Sequence, residues 1–194
     1  MTQSPRPPRR PVRLSEGDPL AGLARWVADG MVDEAARARA RQRWLLRQAE
    51  EEATVSGVLV DLAERRRPVI VTTLGGRRVR GPVRAVGVDF CVIREPRIGD
   101  VVLPAAAMAA IRLAPGDQAV TGSRVLSLEI MMAEALAELA ADRPEVLVVV
   151  ADDGIRGELC SAGRDVVAIG VAGTRREIVH VPIAAVDHLV VLAR

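Results

Sequence analysis

The spacing of apolar residues changes period along the chain, and each change marks an element. Leu20, Leu23, Ala24 and Val27 form one stripe behind Asp18-Pro19, an N-cap followed by a first-turn proline, and Gly30 is the expected end of that helix. Helical spacing resumes from Asp33 to Arg66 and is sharpest at Val55, Val58, Leu59 and Leu62, with Gly57 as a weak point near which the helix is expected to bend or split. Arg37, Arg39, Arg41, Arg43 and Arg47 point in several directions, which fits a solvated helix better than a coiled-coil arm. Beyond residue 68 the period falls to two. Val69–Thr73, Val79–Val86, Asp89–Arg94, Asp100–Leu103 and Ala109–Leu113 read as five short strands, the first two joined by a Gly75-Gly76 turn.

The same pattern then recurs. Asp61–Ile93 aligns with Glu138–Ile169 after one gap at a turn, and Asp100–Leu113 aligns with Ile178–Val191, setting Pro104 on Pro182. Each copy reads as a helix and five strands, the second helix carrying the stripe Leu128, Met132, Ala135, Leu136 and Leu139. Strands this short, with turns every few residues, predict closed small barrels, because closure removes exposed edges. The expected fold is α+β: an N-terminal helical segment, then two five-stranded bent barrels, each preceded by a helix. The expected organisation is a disordered basic tail (1–17), a helical segment (18–54), a first barrel with its helix (55–115), a linker (116–126) and a second barrel with its helix (127–194).

Composition limits the rest. The chain has 194 residues, 49% of them hydrophobic, enough for a real core. Trp26, Trp44 and Phe90 are the only aromatic residues, so that core is aliphatic. All 27 basic residues are arginine, the bias of a GC-rich genome, and the net charge of +2 permits an acidic partner without demanding one. Cys91 and Cys160 lie far apart inside apolar runs and read as free thiols of a reducing cytoplasm. No apolar secretory core follows the N-terminus and no apolar run approaches membrane-spanning length, so a cytoplasmic protein without a membrane partner is expected.

The stretches "VIVTTLGGRRVRGPVRAVGVDFCVI" with "DVVLPAAAMAAIRL", and "VLVVVADDGIRGELCSAGRDVVAI" with "EIVHVPIAAVDHLVVL", resemble the Sm-like family, including its bacterial Hfq-type rings. They cover roughly half the chain, which as a whole also resembles proteins of GC-rich bacteria. The resemblance implies bent five-stranded barrels and RNA binding. The family's base-reading polar residue has no counterpart, since Phe90-Cys91-Val92-Ile93 follows Asp89 and Val166-Val167-Ala168-Ile169 follows Asp165. The basic pair of the family's second motif is missing at Leu103-Pro104-Ala105-Ala106, and His180 has no basic neighbour.

The residues themselves leave two readings of the arginines. Arg77, Arg78 and Arg80 at a hairpin, extended by Arg65, Arg66 and Arg67 at a helix-to-strand junction, can hold phosphates on one face; equally, they suit a solvated turn and a helix C-terminus. Phe90 reads as core. His180, His188 and Asp187 make only a partial metal site, and Asp152-Asp153-Gly154 lacks the later ligands of a calcium loop. No nucleophile motif or phosphate-cradling glycine fingerprint occurs, so neither catalysis nor a cofactor or metal is expected. The favoured function is a non-catalytic module binding RNA or other nucleic acid through arginine-rich loops; the alternative is a scaffold that self-associates through barrel edges and the N-terminal helix.

Overall fold

The computed structural model describes residues 19–113, 116, 120–124, 129–173 and 177–192. The expected basic tail, the Asp18 cap and parts of the expected linker lie outside them.

Helix α1 runs unbroken over Pro19–Glu51, 33 residues, straight through Gly30. An interior glycine costs a helix about 1 kcal/mol but does not stop it unless the backbone turns left-handed there. Trp26 and Trp44 on this helix are exposed. The described residues up to Arg47 and those from Gln48 onward form separate units. The break in the long helical stretch falls at Thr54, whose Oγ1 accepts a 2.9 Å bond from Gly57 N and caps helix α2, Val55–Arg65. The stretch thus splits close to Gly57, and Gly57 itself lies against the Gly122 backbone, where a side chain has no room.

The expected strands are all present, with ends shifted by a residue or so. They are β1 Pro68–Thr73, β2 Arg78–Val86, β3 Phe90–Glu95, β4 Gly99–Pro104 and β5 Met108–Leu113. After helix α3, Met132–Ala141, come β6 Glu145–Val150, β7 Asp153–Ala162, β8 Val166–Val171, β9 Glu177–Pro182 and β10 Val186–Val191. The repeat is visible in matching backbone bonds. Gly87 N donates to Phe90 O and Gly163 N to Val166 O; Ala105 N donates to Asp89 O and Ile183 N to Asp165 O.

Two separate barrels are not what the strands build. All ten form one open antiparallel sheet in the order β5-β1-β2-β3-β4-β10-β6-β7-β8-β9. Each half keeps the same internal order, its fifth strand beside its first. The halves join where β4 pairs with β10, Leu189 facing Val102 and Val190 facing Val101. The reason lies in the side chains of the strands at this junction, which are apolar on both faces and need cover on both. Val101, Leu103, Cys91, Ile93 and Val190 point into a core closed by Leu59 and Leu62 of α2. Phe90, Val102 and Leu189 point the other way, into a core closed by Met132 and Leu136 of α3. One sheet thus serves two aliphatic cores on opposite faces, which welds the two repeats into a single body.

Candidate nucleic-acid interface

The free first end of the sheet, β5-β1-β2, holds the exposed arginines. On β1 the side chains of Val69, Val71 and Thr73 are buried, so Pro68, Ile70 and Thr72 face outward. Ile70 is opposite Arg80 on β2 and Arg112 on β5; Thr72 is opposite Arg78 and Ala110. Residues directly opposite share a face. Arg78, Arg80 and Arg112 therefore stand together on the outward side, Arg80 and Arg112 about 10 Å apart across β1 and Arg78 about 7 Å along β2 from Arg80. None of the three strands carries a carboxylate. The three arginines make no ion pair among the described residues, whereas Arg94, one strand further on, is bound by Asp100 at 2.6 Å. Thr72 Oγ1, buried and without a hydrogen-bond partner, belongs to the same face.

The six arginines singled out in the sequence are only partly brought together. Arg77 and Arg78 lie at the turn end of β1, while Arg65, Arg66 and Arg67 lie at its start, about 20 Å away along six residues. Arg80 lies between the two groups. All six are exposed, but they form a track along the sheet and not one cluster at a loop. Arg112 joins them only through the β1–β5 pairing, which no local pattern announces.

A concavity of about 590 Å³ opens between the repeats and is lined by turns from both, among them Leu74, Gly75, Asp89, Arg164, Asp165 and Asp187. Two of its carboxylates already have structural work. Asp89 Oδ1 accepts from Met132 N at 2.7 Å, fixing the start of α3, and Asp187 Oδ1 accepts from Gly75 N at 3.2 Å while Oδ2 meets His188 Nδ1 at 2.8 Å. The surplus of acid makes this hollow a poor seat for phosphate. His188 is buried and His180 exposed on β9, so the two are not a common ligand pair, and no group of metal-ligating side chains occurs among the described residues. Phe90 is core, packed with Met132 and its neighbours.

The chain matches no protein-family model and no curated protein sequence. No described helix is long and apolar enough to cross a membrane.

Proposed function

We propose that the protein is a non-catalytic module that binds RNA or another nucleic acid along the outward face of β5-β1-β2, acting in the cytoplasm. The observation that supports this is the grouping of Arg78, Arg80 and Arg112 on three carboxylate-free neighbouring strands. Guanidinium groups without acidic neighbours hold phosphate oxygens by paired donors, and their attraction falls as salt rises. Three phosphates neutralised on a single strand give a log–log salt slope of about −2.

The test is fluorescence anisotropy of a labelled oligouridylate against protein concentration, over a range of salt. Wild type should bind with that slope, and Arg78→Gln/Arg80→Gln/Arg112→Gln should lose most of the affinity. Arg94→Gln, which removes an arginine already engaged by Asp100, should leave it near wild type. Absence of binding at low salt, or a triple variant as tight as wild type, overturns the reading.

Self-assembly is a second reading, favoured by the β4–β10 junction. There the fourth strand of one repeat pairs with the fifth of the other, and the two ends of the sheet, β9 and β5, are again a fourth and a fifth strand. Two chains can pair the same way, β9 of one against β5 of the next. Light scattering over a range of concentrations tests it: a mass above that of one chain supports it, and a constant monomer mass refutes it.

A further inference from the structure

The strand registers allow the two repeats to be compared residue by residue. In the first, Pro68 faces Pro82 and Ile70 faces Arg80. In the second, Glu145 faces Glu158 and Leu147 faces Arg156. Arg80-Gly81 and Arg156-Gly157 are therefore equivalent, and both glycines lie against a carbonyl of the adjoining strand, that of Arg94 and that of Gly170. Arg66 and Arg143 correspond as well. Each lies two residues before its first strand and is left-handed, with φ of 51° and 46°.

Both repeats thus keep the same two arginines and differ in what stands beside them. In the second, Arg143 Nη1 donates to Glu158 Oε1 at 3.2 Å and Arg156 Nε donates to Glu145 Oε1 at 2.8 Å. In the first, the two carboxylate positions are occupied by Pro68 and Pro82, and Arg66 and Arg80 form no ion pair among the described residues.

We propose that these are two forms of one site for the phosphodiester backbone, open in the first repeat and closed in the second by Glu145 and Glu158. The proposal rests on the nucleic-acid reading above, with which it shares Arg80, and adds to it Arg66, a stoichiometry and a latent second site; Arg78 and Arg112 correspond to Gly154 and Val190 and have no part in that second site. A guanidinium paired with a carboxylate has one donor engaged and its charge offset by the neighbouring anion, which also repels phosphate, so neutralising the carboxylate strengthens its hold on phosphate. Space for a ligand is already there. An open cleft of about 830 Å³ is lined by Arg143, Glu145, Arg156, Glu158 and the bare backbone of Gly157 and Gly170.

The decisive measurement is the number of short oligouridylates bound per chain, by isothermal titration at low salt, with circular dichroism to establish that each variant is folded. Wild type should bind one. Glu145→Gln/Glu158→Gln should bind two, and adding Arg143→Gln/Arg156→Gln to it should bring the number back to one. Removing the same charge elsewhere, in Asp152→Asn/Glu177→Gln, should leave it at one. In the opposite direction, Pro68→Glu/Pro82→Glu should weaken wild-type binding by about tenfold or more, since two phosphate contacts are lost. A Glu145→Gln/Glu158→Gln variant that stays folded and still binds one overturns the proposal. Should wild type bind none, the nucleic-acid reading itself fails, and with it the basis of this one.

Discussion

Placing a methyl group on Gly157 tests the strand crossings on which the comparison of the repeats depends. A Cβ there would lie 2.5 Å from Gly170 O, 2.9 Å from Ile169 Cγ2 and 3.0 Å from Gly170 C, against a practical limit of 3.0 Å. Half an ångström of overlap with backbone is not relieved by a rotamer change, so β7 and β8 must separate. Overpacking of this kind costs about 1–3 kcal/mol, and the smaller entropy of an unfolded chain with Ala in place of Gly returns about 0.4–1 kcal/mol. A net loss of about 1–2 kcal/mol lowers the melting temperature of a domain this size by about 3–6 °C. Gly81 lies closer still to the Arg94 carbonyl oxygen, and Gly81→Ala should melt lower than Gly157→Ala. Gly163→Ala is the control, because its nearest neighbours would be Val166 Cγ1 at 3.5 Å and Val166 O at 3.7 Å, ordinary contacts. Thermal melts followed by circular dichroism, with urea slopes to check for a common unfolded state, give the order. Equal melting temperatures for Gly81→Ala and Gly163→Ala would falsify the close approach of β2 to β3 at Arg94.

Buried Asp61 accepts from Gly122 N at 3.0 Å and from Arg124 Nε at 3.3 Å. Asp61→Ala leaves that amide unpaired and should cost about 1–3 kcal/mol in urea unfolding, whereas Glu64→Ala, which removes an exposed partner of Arg124, should cost less than about 1 kcal/mol. Burial pushes the Cys91 thiol up to about 12. Native protein at mild alkaline pH should therefore expose one reactive thiol, Cys160, to a disulfide reagent and both only in denaturant; two fast thiols in the native state would contradict the burial. Because the unfolded thiol ionises near 8.5, stability should decline as pH rises above that value, and Cys91→Ala should flatten the decline. The hydrogen bond from Arg156 holds the Glu145 carboxyl below its usual value. Its stabilising contribution is present above the unfolded value and is lost as pH falls through the folded one. Carboxyl NMR titration should show Glu145 moving back up in Arg156→Gln.

Which strands exist was legible in the sequence; which edges they share was not. Alternation marks a strand's two faces but is silent about its neighbours, so a closed barrel and an open sheet have the same local pattern. A clue was nonetheless present. Val101-Val102-Leu103 and Leu189-Val190-Val191 are apolar at consecutive positions, and a strand apolar on both faces belongs in the middle of a sheet with cover on each side. Glycine alone is a weak stop signal for a similar reason: Gly30 has open space around it and interrupts nothing, whereas the split near Gly57 is fixed by the Thr54 cap and by the Gly122 backbone that Gly57 meets. Of the arginine track, the β2 members could be read locally from their alternation with Val79 and Gly81. Arg112 could not, because it reaches Arg80 only through Ile70 on an intervening strand.

The position of β10 also bears on how the protein acquires its shape. It is the last of the ten strands to leave the ribosome, yet it lies between β4 and β6. During synthesis β4 must wait with one edge and one apolar face uncovered until nearly the whole second repeat has emerged, a burden that strands of high sequence separation impose on every nascent chain. Val190 on β10 then completes the first repeat's core and Leu189 the second's in a single docking event. A ribosome stalled before Val186 would hold a nascent chain whose first repeat is still susceptible to protease.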